Sequence, residues 1–318
     1  MTAIRVKNLT KRFGAEQILA DLNMTVNEGG IFGLIGPSGS GKSTLLRILT
    51  GYLTPSEGEA EVLGKPPSDF TPKDRRRIGF MPQGFVLYGE LSVRQNLNFV
   101  AGLYGLRFRE RRRRVREVLE FVELWEHRHK TAANISGGMQ RRLQLASALV
   151  HEPELLFVDE PTANLDPILR RRFWEEFRQL SQSNHTLFVT TQYVGEAELC
   201  DRVGLLSGGA LVAVGTPDEL RRRAFDGELI QLVLGGDPGH LGKHLEGLEN
   251  VGHVVEIRQD EETEEAVSRI RLVVEDADVA LPKVMEVLNG VDMRSLDVPK
   301  PSFDEVFFRL VKGTSETV

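Results

Sequence analysis

The stretch Gly36-Pro37-Ser38-Gly39-Ser40-Gly41-Lys42-Ser43-Thr44 decides how the rest of the chain is read. Gly36 and Gly41 bracket a loop followed at once by Lys42 and Ser43, the pattern G-x-x-x-x-G-K-S/T of a phosphate-binding loop. Glycines let the backbone bend so that its N–H groups point inward at phosphate oxygens. Just before the loop, Ile31-Phe32-Gly33-Leu34-Ile35 is a nearly continuous apolar run, as expected of a strand covered on both faces. Just after it, 42–50 reads as a helix whose N-terminus adds a dipole favourable to anions. In that setting the backbone from Gly36 to Thr44 holds the phosphates, Lys42 reaches the β- and γ-phosphates and the Ser43 hydroxyl ligates Mg²⁺.

Such a loop needs a second element to hold metal and activate water. Leu155-Leu156-Phe157-Val158-Asp159-Glu160 is an apolar strand ending in two carboxylates, a Walker B arrangement. Asp159 is the expected metal residue. Glu160, at the strand end where α/β sheets place their ligands, is the expected general base. A solvated capping pair ahead of Pro161 is the plainer account of the same two residues.

The surrounding sequence supplies an α/β frame. Residues 186–190 and 203–206 read as further buried strands, and 4–9 and 22–26 alternate with period two as half-buried strands. Helical patterns occupy roughly 42–50, 92–104, 109–123, 138–150 and 168–181. The alternation predicts a parallel sheet flanked by helices. The strand-free helices predict an inserted helical subdomain of about 84–150.

The 318 residues are 41% hydrophobic and 27% charged, which excludes a disordered or fibrous chain and predicts about two domains. No apolar run approaches the roughly 20 residues of a bilayer span, and the start lacks a signal-peptide core. The single cysteine, Cys200, allows no internal disulfide and fits a reducing interior. The net charge of −6 is uneven: residues 228–318 carry 19 acidic against 9 basic side chains, and residues 1–227 carry 27 against 31. That shift predicts a boundary near Gly227 and argues against nucleic-acid binding by the acidic part. There the order helix, strand (251–258), acidic turn (260–265), strand (267–274), helix (279–289), strand (291–298) and final helix from Ser302 follows a strand at 229–234. It describes a small α+β domain of ferredoxin-like order.

Ile135-Ser136-Gly137-Gly138-Met139-Gln140 resembles the signature motif of ATP-binding cassette (ABC) ATPases. Gln83, in Met81-Pro82-Gln83, resembles the family's Q-loop glutamine, and Asn164-Leu165-Asp166 its D-loop. Phe13 fits the aromatic residue that stacks on adenine. These motifs span residues 1–216 in family order. The resemblance implies a P-loop NTPase cassette that hydrolyses ATP with Mg²⁺. In it Glu160, Lys42, Gln83 and Gln192 are catalytic, Phe13 and Gly36 to Thr44 bind nucleotide, and Ser43, Gln83 and Asp159 serve the metal. It also implies a head-to-tail dimer, a homodimer or heterodimer, in which Ser136, Gly137, Gly138 and Asp166 face the nucleotide held by the other cassette.

Two positions depart from the family. Met139 replaces the usual Gln of the signature, on the side away from the phosphate-binding atoms. Gln192 stands where the switch-loop histidine is expected; an amide can donate a hydrogen bond but carries no proton or positive charge at this point. His185 lies at the far end of the same strand and cannot replace it. Slow or partner-dependent hydrolysis is expected.

Segments 89–97 and 103–106, with the C-terminal phrase Pro301-Ser302-Phe303-Asp304-Glu305-Val306-Phe307-Phe308, resemble exporter cassettes of the ABC-2 class. The partner implied is a separate transmembrane permease, with this chain on the inner face of the membrane. A soluble ABC ATPase of translation or DNA repair is the alternative. One cassette instead of two, and no coiled coil between Gln83 and Ser136, speak against it, and Glu160 speaks against a purely structural nucleotide module. The stretch Arg107 to Arg116 holds seven arginines and one acid; it is either a solvated helix face or a surface for anionic headgroups or the membrane partner.

Overall fold

The computed structural model describes residues 1–235, 241–248, 251–260 and 267–315, arranged as two compact units, Met1–Val214 and Gly215–Val318. The first contains two sheets. Strands β1 (Thr2–Phe13), β2 (Glu16–Asn27) and β4 (Glu57–Val62) form an antiparallel sheet in the order β2-β1-β4. The period-two, half-buried strands thus form a separate antiparallel sheet beside the parallel one. Their short connection explains this: Gly14 and Ala15 turn β1 directly into β2, and a parallel pairing would need a long crossover. β4 carries charge on its outer face, where Glu57, Glu59 and Glu61 pair with Arg12, Lys7 and Arg5 at 3.1, 3.3 and 3.4 Å. That acidic alternation hid it from a hydrophobic reading.

The second sheet has six strands in the order β5-β6-β7-β3-β8-β9: β3 (Gly30–Ile35), β5 (Ile78–Met81), β6 (Leu155–Asp159), β7 (Thr186–Thr191), β8 (Arg202–Ser207) and β9 (Ala210–Gly215). The pairings β5–β6, β6–β7, β7–β3 and β3–β8 are parallel. Helix α1 (Lys42–Leu49) lies between the two sheets with Leu45, Leu46, Ile48 and Leu49 buried, and joins Leu9, Leu22, Val62, Phe32, Phe157 and Phe188 in one core. Phe188 stacks on Phe32 at 5.4 Å between centroids. Each such ring contributes roughly 1.5–3 kcal/mol by burial, enough to pin the strands whose ends carry the site.

The chain leaves the sheet after β5 and returns at β6, one strand over. Between them run α3 (Val93–Leu103), α4 (Phe108–Phe121) and α5 (Gly137–Leu149), with α2 (Pro72–Arg75) ahead of β5 and α6 (Pro167–Gln182) after β6. Ser92, Ser136 and Asp166 cap α3, α5 and α6 through their side chains.

The second unit opens with α7 (Pro217–Phe225), which Thr216 and Glu219 close with a capping box. Charge placed the join near Gly227, but α7 belongs to this unit because it packs on α10 (Phe303–Ser315): Arg309 lies over the Phe225 ring at 4.1 Å and Arg221 over Phe303 at 5.2 Å. Strands β10 (Glu228–Gly235), β11 (Val251–Asp260), β12 (Val267–Val274) and β13 (Met293–Asp297) alternate with α8 (Leu241–Glu246) and α9 (Ala277–Val287). The sheet order β11-β12-β10-β13, antiparallel throughout, is the ferredoxin-like arrangement. The loop read at 235–239 and the acidic turn read at 260–265 fall almost wholly outside the described residues. No helix among the described residues is long and apolar enough to cross a membrane.

Candidate functional site

Three adjacent strands, β6, β7 and β3, run parallel in register, so their carboxyl ends meet. The phosphate loop leaves β3, Asp159-Glu160 end β6 and Gln192 follows β7. Ile35 is opposite Thr191, and Gly36 N–H donates to Thr191 O at 3.2 Å, which places Gln192 one residue beyond the loop's entrance. His185 precedes Thr186, opposite Gly30 at the other end of the sheet, and its Nδ1 is 2.7 Å from Pro153 O.

The loop itself is tightly built. A Cβ on Gly36 would collide with Leu206 O, and one on Gly41, whose φ is 105°, would strike the Leu19 side chain. The Ser40 hydroxyl is buried in this loop with no hydrogen-bond partner among the described residues, a polar atom left for a ligand. Lys42 is buried and its ammonium donates to Gly36 O at 2.8 Å and Pro37 O at 2.9 Å, with Glu160 Oε1 at 3.4 Å. Gln83 Nε2 donates to the other oxygen, Glu160 Oε2, at 2.8 Å. Ser43 Oγ donates to Asp159 Oδ1 at 3.2 Å.

Glu160 is held in an unusual backbone conformation, with φ at 46°, a strain of about 1–3 kcal/mol for a side chain of this kind. Its N–H is anchored to Thr190 O at 3.0 Å and Thr190 Oγ1 at 3.2 Å. Thr190 also donates from Oγ1 to Asp159 Oδ1 at 2.6 Å. One buried hydroxyl thus orients both carboxylate residues. The sequence reading took Thr190 only as a strand residue, although a hydroxyl at the end of an apolar run was the available signal.

A second polar cluster was also missed. Glu196 is buried and accepts from Thr162 Oγ1 at 2.7 Å and Thr191 Oγ1 at 2.5 Å, with Arg170 Nε at 3.7 Å from its carboxylate. It ties the segment after Glu160 to the segment after β7.

The remaining candidates gather apart from the phosphate loop. Gly137 and Gly138 line a groove of about 370 Å³ together with Gln83, Arg141, Asn164 and Asp166. Ser136 Oγ accepts from Met139 N–H at 3.3 Å, and Asp166 Oδ1 accepts from Ile168 and Leu169 N–H at 3.0 Å, so both serve their helices as caps. Burial lowers the Arg141 pKa, opposed by Glu160 and Asp159. Phe13, 47% exposed, ends β1 with Lys11 Nζ 5.0 Å from its ring centre. Gln83 both lines the groove and donates to the Glu160 carboxylate.

The fold of such a site has known counterparts. Residues 19–163 match the family model described as ABC transporter. The linearmycin resistance ATP-binding protein LnrL of Bacillus subtilis (strain 168) is 32% identical over 318 residues, covering 98% of this chain and 99% of that one. This chain belongs to the ABC transporter family. The probable multidrug ABC transporter ATP-binding protein YbhF of Escherichia coli (strain K12) is 40% identical to this chain over 248 residues, 75% of it. The chain spans only 43% of the length of YbhF in that match. A solved structure, the dimeric post-hydrolysis state of the ATP-binding cassette MJ0796 bound to ADP and Pi, superposes with a TM-score of 0.61 at 29% identity, covering 67% of this cassette chain and 98% of that one. LnrL and YbhF are both named as ATP-binding proteins of transport or resistance systems.

Proposed function

We propose that this chain hydrolyses ATP to drive export across a membrane through a separate permease subunit, working as one half of a head-to-tail cassette dimer. The convergence of Lys42, Ser43, Gln83, Asp159 and Glu160 at the ends of β3 and β6 supports this reading. Resistance and export names among the relatives support the direction.

The Lys42 ammonium donates to the carbonyls of Gly36 and Pro37 and is ion-paired with Glu160; contact with the β- and γ-phosphates exchanges these partners for phosphate oxygens. The buried Ser40 hydroxyl and the glycine-lined loop fit phosphate, and Phe13 offers its exposed ring to the adenine. Ser43 and Asp159, assisted by Gln83, would hold Mg²⁺, which supplies positive charge to the phosphate oxygens when bound. A hydroxyl and a carboxylate oxygen 3.2 Å apart, Ser43 Oγ and Asp159 Oδ1, are the hard oxygen donors that suit this cation. Glu160 accepts the proton of the attacking water. Ser136, Gly137 and Gly138, at the open N-terminus of α5, present N–H groups to the γ-phosphate of the partner cassette, and Asp166 fixes the adjoining segment. Gln192 donates an amide hydrogen bond at the switch position.

Closure on ATP and release after hydrolysis make the dimer a two-state element that can move a permease. On this reading the chain sits on the inner face of the membrane, cytoplasmic and peripheral, held there by the permease. The C-terminal domain from Gly215 is an accessory to the cassette. Co-expression with a candidate permease of about six apolar spans, reconstitution into vesicles and an ATP-dependent efflux assay test the proposal. Uptake in place of efflux, or ATP turnover indifferent to every permease tried, would contradict it.

A further inference from the structure

Gln192 occupies an exposed position after β7, and its side chain forms no hydrogen bond among the described residues. The residues on either side of it are both held by Glu196, in the short 3-10 helix Val194–Leu199. Thr191 Oγ1 donates to Glu196 Oε2 at 2.5 Å, and Glu196 N–H donates to Tyr193 O at 3.0 Å. Thr191 Oγ1 also accepts from Tyr193 N–H at 3.0 Å, which closes the backbone around Gln192. Thr191 is 1% exposed and Glu196 4%, so water does not compete for the bond between their side chains.

The other carboxylate oxygen faces the neighbouring strand end. Glu196 Oε1 accepts from Thr162 Oγ1 at 2.7 Å, and Thr162 is buried two residues beyond Glu160. Arg170 Nε is 3.7 Å from the same oxygen, and its guanidinium lies over the Tyr193 ring at 4.1 Å. Arg170 stands in the first turn of α6, with its N–H bonded to Asp166 O at 2.9 Å. A buried carboxylate is costly unless its oxygens are satisfied. Here the groups that satisfy it come from the turn carrying Gln192, the turn after Glu160 and the helix capped by Asp166.

We propose that Glu196 is a positioning residue for hydrolysis. By gripping Thr191 and Tyr193 it fixes where the Gln192 amide meets the γ-phosphate, and by gripping Thr162 it ties that point to Glu160. It touches neither nucleotide nor the attacking water. An amide acts through one hydrogen bond, which weakens steeply with distance and angle, whereas a charge acts over a longer range. A neutral residue at the switch position therefore leans on the geometry of its turn more than a charged one does. The inference rests on the reading of Gln192 as the switch residue given above.

The test compares Thr191→Val, which removes the hydroxyl at nearly constant volume, with Thr191→Ser, which keeps it. In the full chain, kcat of Thr191→Val should fall by about 10–100-fold, the scale set by a displacement of roughly 1 Å, with KM and the ATP dissociation constant within about twofold of wild type. Thr191→Ser should recover most of that loss, and Glu196→Gln should lower kcat without weakening ATP binding. Retained nucleotide binding shows that each variant folds. The double variant Thr191→Val, Gln192→Ala should be no slower than Gln192→Ala alone, because both changes remove the same interaction. Losses that multiply in the double variant, a serine variant as slow as the valine one, or ATP affinity that falls together with kcat would overturn the proposal and leave Glu196 a packing residue. So would full turnover by Gln192→Ala. Glu160→Gln, run in parallel, separates the two readings. If it leaves hydrolysis unchanged, the reading of the whole site fails and takes this proposal with it. If it stops hydrolysis while Thr191→Val turns over at the wild-type rate, this proposal alone fails.

Discussion

The Lys42 ammonium stands 3.4 Å from Glu160 Oε1, and both side chains are buried. They come from distant parts of the cassette sequence and meet because β3 and β6 flank β7. The proposed phosphate ligand and the proposed base thus share one electrostatic environment. Phosphate that engages Lys42 must also release Glu160 from its ion pair.

Glu160→Gln keeps the shape and the hydrogen bond to Gln83 but removes the base. Turnover measured by phosphate release should fall by about 10²–10⁴-fold, while nucleotide titration shows ATP binding retained. Unchanged hydrolysis would refute the assignment.

Thr190 is the hinge of the acidic pair, and Thr190→Val removes its hydroxyl at nearly constant volume. The Mg²⁺ concentration for half-maximal ATPase should rise by about 10–100-fold, and Thr190→Ser should restore it. A valine variant with wild-type Mg²⁺ dependence would remove Thr190 from the metal side of the site.

Gly36 and Gly39 look alike in the loop, yet should respond differently. Gly36→Ala drives a methyl group into the Leu206 carbonyl, a backbone atom that cannot step aside. Gly39→Ala meets open space but must hold a φ of 79°. Thermal unfolding should show a loss of about 1–3 kcal/mol or more for Gly36→Ala and about 1–2 kcal/mol for Gly39→Ala. Reversal of that order would show that the loop is looser than its packing implies.

Glu176, on α6, is pushed up to about 7 from 4.5, first by burial and then by Glu123, against the pull of Arg142 and Arg172. One of its oxygens is buried without a hydrogen-bond partner among the described residues. The folded chain therefore keeps a proton that the unfolded chain releases near pH 4.5, and this group's contribution to stability is lost as pH rises from there through about 7. Glu176→Gln should match the wild type near pH 5 and become more stable above pH 7, by on the order of 3 kcal/mol. A stability difference that does not change with pH would count against the raised pKa.

Gln192→His restores a group able to carry positive charge beside the phosphate loop. Steady-state turnover of the purified variant should rise severalfold or more. A variant no faster than wild type would show that the amide does not impair the switch.

From the sequence alone the phosphate-loop pattern and the paired carboxylates were legible as motifs, because each depends on neighbours a few residues away. The buried strands 31–35, 155–158 and 186–190 were legible for the same reason, as unbroken apolar runs. What only the tertiary structure decided involves contacts between distant segments. It set Thr190 against both carboxylates, joined Glu196 to Thr162 and Thr191, and assigned α7 to the second unit. It also paired Arg114 of α4 with Glu152 at 3.0 Å, since ion pairing depends on which carboxylates the fold brings within reach. Local chemistry named the site's parts; the parallel register of β3, β6 and β7 put them together.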